Sequence, residues 1–248
     1  MTCRSENQEI KINTYYKSNC RWLSNAGWIS SYHTFNSGRF YKPDRKGFGS
    51  IRVLNDDFLM NGKGMEPHTF HNMEIMYIPL SGSLTFSDNL GNMHTFGPDE
   101  FLHVSCGKGI EMSISNHSEN DVINFLQLWL NPPRINTNPA ICRAALPNDG
   151  EKLHLLACPR SDLPLSKLKQ NSWISIGRFT AGSEYTYFRY TPNDPVFVYV
   201  LKGLTEIAGE QMLKSRDGYG FRDEGDIELV CKEDSTLLFV ETPPEEIS

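Results

Sequence analysis

Short β segments cut off by turns are almost all that this chain offers to a core, which limits it to an all-β architecture. Residues 74–80, 100–104, 123–130, 173–179, 196–201 and 236–240 are rich in β-branched and aromatic side chains and end at Gly, Asn, Asp or Pro. Turn clusters at 87–92 and 216–218 separate such segments. No long stretch repeats its apolar residues with a period of 3.6, so helices are not expected to carry the core.

The layout also repeats. Tyr77-Ile78-Pro79-Leu80-Ser81-Gly82 is echoed by Tyr199-Val200-Leu201-Lys202-Gly203, and each block is followed by a second strand and a turn. An acidic turn comes next, Gly97-Pro98-Asp99-Glu100 in one half and Arg222-Asp223-Glu224-Gly225-Asp226 in the other. Two similar β domains follow from this, with the Pro-rich stretch 131–139 as the linker and a division into 1–135 and 136–248.

Charge and cysteine usage narrow the function. A net charge of −6, with no run of basic residues longer than two, argues against a nucleic-acid-binding surface. The first ten residues lack the apolar core of a secretory signal, and no apolar stretch is long enough to span a bilayer. The six cysteines are scattered without a C-x-x-C pair, so they are read as reduced thiols of a cytoplasmic protein.

Three stretches carry a family resemblance: Gly27-Trp28 to Phe35 with Gly47-Phe48 to Asn55-Asp56-Asp57, then Gly91-Asn92 to Gly109-Ile110, then Leu126-Gln127-Leu128-Trp129. Together they resemble the pirin-like family. The resemblance implies two cupin barrels in tandem, each a jelly-roll-like sandwich. It also implies one metal, iron or another divalent ion, held in the first barrel by two histidines of an H-x-H pair, a further His and a Glu. Positions i and i+2 of a strand share a face, which is why the pair can aim at one ion.

Set on this sequence, the first motif of the family falls on His68 and Phe70, with Glu74 as its acidic position. His71 follows at once, and only a bulge would turn it to the same side. The second motif falls on Met112 and Ile114, where the family has His and Glu. His68 is the one expected imidazole left. His117-Ser118-Glu119 copies the family tripeptide five residues downstream, out of register, and is read as surface loop. All seven histidines precede residue 155, so the second barrel is expected to hold none.

His33 is expected to make a buried structural hydrogen bond, and His94 and His103 to be solvated or packed. Cys106 is expected to be an inert thiol and Asn55-Asp56-Asp57 to cap a strand end. No Ser-His-Asp arrangement is legible.

The pocket is therefore taken to be formed by His68, Phe70, Met112, Ile114 and Glu74, with no catalytic residue and no cofactor. The function expected is a non-enzymatic, pirin-like bicupin that binds a small apolar ligand or a protein partner. The alternative is a metal-dependent quercetin 2,3-dioxygenase-like oxygenase with an atypical site, built from His68, His71 and Glu74. A copper site using His68, Met112 and Glu74 is a further variant, since thioethers suit Cu(I). A transcriptional co-regulator rests on the resemblance alone.

Overall fold

A computed structural model describes residues 13–147, 150, 152–162, 165–207, 209, 211–223 and 225–244. The first ten residues, Cys3 and Glu224 of the second acidic turn lie outside the described residues. Among those described, the only helical pieces are two 3-10 turns, and everything else regular is strand. The six segments read as strands form Glu74–Ser81, Glu100–Ser105, Ile123–Leu130, Trp173–Phe179, Val196–Lys202 and Ser235–Glu241, each within one residue of expectation.

Each half folds as a seven-stranded sheet facing a four-stranded one. In the first barrel Ile123–Leu130 lies between Ile51–Leu59 and Glu74–Ser81, and Ile110–Ser115 runs through the small sheet. In the second, Ser235–Glu241 lies between Trp173–Phe179 and Val196–Lys202.

Three apolar clusters show how the sheets stack. One fills the first barrel, around Tyr77, Phe86, Phe96 and Phe125. Another fills the second, around Tyr187, Val198, Leu229 and Phe239. The third is shared, joining Met76, Ile78 and Leu128 to Ile176, Tyr199 and Leu238. The two large sheets therefore pack face to face, each covered on its far side by its own small sheet. This explains why Glu74–Pro79 and Val196–Leu201 are buried at every position. Strands covered on both faces lose the apolar/polar alternation.

The halves also exchange strands. Thr14–Tyr16 pairs with Gly218–Phe221 of the second barrel, and Ala140–Ala145 pairs with Glu100–Ser105 of the first. The expected division at 135/136 is thus crossed in both directions. The Gly47-Phe48-Gly49 turn adds to the joint. Gly49 has φ 54°, and a Cβ there would strike Thr242, whose hydroxyl accepts from the Ser50 amide at 2.9 Å. Phe48 packs on Phe197 with ring centroids 5.3 Å apart.

The internal repeat is real in layout but shifted in detail. Gly82 (φ 71°) and Gly203 (φ 97°) close equivalent hairpins. Tyr77 is five residues before its glycine and Tyr199 four, so the two rings point to opposite faces, one into its own barrel and one into the shared layer. The acidic turns are not equivalent either. The turn after Met93–Phe96 corresponds in strand order to Ser215-Arg216-Asp217, one strand earlier than the acidic turn after Gly218–Phe221.

Candidate functional site

The register of the small sheet of the first barrel brings four of the five expected residues onto one face. His68 lies opposite Met112, and Phe70 opposite Ile110. Residues directly opposite in an antiparallel pair share a face, and alternation adds Ile114. Met112 is 1% and Ile114 2% exposed, both within the barrel's apolar cluster. Phe70 is half-buried against the same cluster, edge-on to Trp129 at 5.6 Å. His68 is exposed, its ring 6.5 Å from that of Phe70.

Glu74 does not join them. It opens the strand Glu74–Ser81 on the face of Met76 and Ile78, towards the second barrel. There it is buried with His103, whose Nε2 donates to Glu74 Oε2 at 2.9 Å. The Ser105 hydroxyl (2.8 Å) and the Lys169 amide (3.3 Å) donate to the same oxygen. His103 Nδ1 lies 2.7 Å from Ser166 Oγ. A Ser166–His103–Glu74 chain thus joins the two barrels, an arrangement that sequence reading missed. The local signal was His103-Val104-Ser105 on the strand next to Glu74, recognisable only once the pairing was known. All of its members are buried, Ser166 being 4% exposed, so the hydroxyl has no access to a substrate. The chain is a polar fastening within an apolar layer.

His71 is outside as well. Its Nδ1 lies 3.0 Å from the Lys108 carbonyl oxygen, and its ring packs over Gly109, so no bulge turns it inward. His117 is exposed, bonded to Ser115 at 3.0 Å. His94 stacks on Phe86 at 6.4 Å. His33 is buried as expected, donating from Nδ1 to Asn55 Oδ1 (2.9 Å) and lying 2.8 Å from Ser24 Oγ. Burial lowers its pKa, and Asn55 offsets part of that. His154 corrects the expectation of a second barrel without histidine: its strand, Leu153–Cys158, belongs to the second large sheet. A lone imidazole still cannot make a three-histidine centre there.

Asn55-Asp56-Asp57 sits in mid-strand, not at a strand end. Asp56 faces the seam, where Arg21 (3.2 Å), Arg216 (2.9 Å) and Asn124 (2.7 Å) all donate to it. Asp57 faces the first barrel's interior. Gln127 donates to its Oδ2, while Oδ1 is buried with no partner. Burial pushes this carboxyl up to about 7, against the weaker pull of Ser31 and Gln127. Burial, and then the charge of Glu74, push the Cys106 thiol up to about 12, which leaves it unreactive at neutral pH.

The donor set does not fit a metal. Phenyl, thioether and sec-butyl groups occupy three of the four positions, and the remaining imidazole, on the same face, is exposed. Among the described residues, no three His, Cys, Asp or Glu side chains converge in a way that could hold an ion. Apolar walls around a charge would oppose its binding. The copper variant fails on geometry too, since Glu74 lies on the opposite face of its sheet from the interior where Met112 is packed.

Two barrels, each with a small sheet over a large one, define a bicupin. The chain belongs to the pirin family: the Pirin family pattern matches residues 16–130, and the pattern of the quercetinase C-terminal cupin domain matches 155–242. It is 29% identical over 229 residues to the quercetin 2,3-dioxygenase of Escherichia coli K12, covering 92% of this chain and 97% of that one. The crystal structure of YhhW from Escherichia coli superposes with a TM-score of 0.89 at 27% identity, over 96% of this chain and all of that one. YhhW has also been solved in complex with nickel(II), with a TM-score of 0.87 over 94% of this chain. No helix among the described residues is long and apolar enough to cross a membrane.

Proposed function

We propose that this chain is a pirin-family bicupin that has exchanged the metal centre of its first barrel for packed core and acts as a non-enzymatic small-molecule-binding protein. The observation that carries this reading is the single face bearing His68, Phe70, Met112 and Ile114, with Met112 and Ile114 sealed in the barrel core. A fully buried apolar side chain of that size stabilises the barrel by about 1.5–3 kcal/mol, which a metal ligand there would forgo. The alternative, a metal-dependent quercetin 2,3-dioxygenase-like activity, is favoured by the likeness to the Escherichia coli quercetin 2,3-dioxygenase and by the nickel(II) complex of YhhW. It would need a donor set other than the four aligned positions.

Metal content separates the two. Tag-free protein exposed to Fe(II), Mn(II), Ni(II) and Cu, then desalted, should hold well under one equivalent of any metal by plasma mass spectrometry. The triple variant Phe70→His, Met112→His, Ile114→Glu should gain close to one. A tightly held equivalent in the wild type would overturn the reading and make oxygen uptake with flavonols the next assay.

A further inference from the structure

We propose that the cleft between the barrels, at the Asn124 end of the strand Ile123–Leu130, binds a small amphipathic carboxylate, an anion with an apolar alkyl or aryl body. The cleft measures about 390 Å³, within the range of small-ligand sites. Its floor is apolar and comes from both halves: Ile78 and Leu80 from the first barrel, Ile176 and Leu201 from the second, and Leu146 from the connection between them. These residues are the edge of the shared apolar layer, so an apolar body laid there extends an existing core.

The rim is cationic. Arg178, Lys202 and Arg216 line the cleft against one carboxylate, Asp99, in a chain whose net charge is −6. Positive charge gathered in a cleft of an acidic protein favours an anion there over the rest of the surface. Arg216 is held in place: Nε donates to Asp56 Oδ2 at 2.9 Å, Nη2 to Asn124 Oδ1 at 3.2 Å, and Nη1 to the Leu201 carbonyl oxygen. Its φ of 72° lies in the left-handed region, which a non-glycine residue keeps only where the surroundings impose it. Asp56 is shared with Arg21, so its one carboxylate is divided between two guanidiniums. Arg178 donates to the Pro147 carbonyl oxygen at 2.7 Å, which fixes it beside the floor. The Lys202 side chain is exposed at the rim. A neutral ligand would leave this rim unmatched, and a bare phosphate would leave the floor wet. A carboxylate with an apolar body satisfies both.

The cleft lies on the outer face of the first large sheet, away from His68 and Met112, so finding a metal in the first barrel would leave this proposal standing.

Calorimetric titration of the full chain with decanoate tests it, with decanol and inorganic phosphate as the neutral and apolar-free controls. One equivalent of decanoate should bind saturably. Decanol and phosphate should each bind at least about tenfold more weakly, a difference of about 1.4 kcal/mol. Lys202→Glu, a change at an exposed position, should weaken decanoate by more than about tenfold with an unchanged circular dichroism spectrum. Leu80→Glu should weaken it through the floor instead. Absence of saturable decanoate binding would overturn the proposal. So would decanol or phosphate binding as well as decanoate, or a Lys202→Glu variant that binds like the wild type.

Discussion

Each barrel buries one carboxyl in its own interior, and the two are treated very differently. Glu241 of the second barrel receives the Tyr187 hydroxyl at 3.0 Å and the Tyr190 and Thr191 amides at 2.9 and 2.5 Å. Asp57 of the first accepts from Gln127 on Oδ2 with Ser31 beside the carboxyl, and its Oδ1 is buried without a hydrogen-bond partner. Both pKa values are raised by burial, but the three donors to Glu241 work against that rise, whereas Asp57 reaches about 7. The second barrel is a finished core around a carboxyl with three hydrogen-bond donors. The first carries Phe70, Met112 and Ile114 on one face of its small sheet and keeps a poorly compensated acid on its large sheet.

That contrast can be broken or sharpened by measurement. The largest effect belongs to Asp57. Between its ordinary value of 3.8 and about 7, the folded state holds a proton that the unfolded chain has released. Stability therefore falls as pH rises through this window, by up to about 4 kcal/mol. Urea melts of Asp57→Asn should lose that slope, with the variant gaining on the wild type at pH 7.5 relative to pH 4.5. A wild-type profile already flat across the window would refute the buried-acid account.

Next in size is Met112→Ala. A thioether serving as core filler costs about 2–5 kcal/mol when truncated, whatever metal is supplied. If the melt instead became metal-dependent in the wild type and not in the variant, Met112 would be acting as a ligand.

Glu241→Gln comes third. The amide NH2 replaces one acceptor with a donor facing donors, so a loss of about 1–3 kcal/mol is expected at neutral pH. An unchanged midpoint would mean that the second barrel tolerates a mismatch as readily as the first. Smallest of all, His68→Ala should change stability by less than about 0.5 kcal/mol, because the side chain is exposed and bonded to nothing in the core. A drop of several kcal/mol in the presence of nickel(II) alone would reveal a site that His68 anchors.

Much of the fold was legible because period two and turn chemistry are local. The strand 123–130 was readable to the residue, and the pirin-like stretches gave the two barrels. Glu74 was not placeable. Its strand is buried on both faces, so alternation says which neighbours share its side but not which side is the barrel interior. The Tyr77 and Tyr199 echo misled for a related reason. A one-residue offset before the closing glycine keeps the motif recognisable and reverses where the ring points.

By itself the sequence determined the all-β class and the family. Phe70, Met112 and Ile114 cannot supply imidazole or carboxylate in any fold. Only the tertiary structure decided what each polar residue meets. It drew His103 to Glu74 and Ser166, set Arg216 against Asp56, and moved the first and the 140–145 strands onto opposite barrels. Arg216 and Asp56 lie 160 residues apart in the chain, and no local rule of period or propensity acts over that distance. They are chosen by which faces two packed sheets bring together.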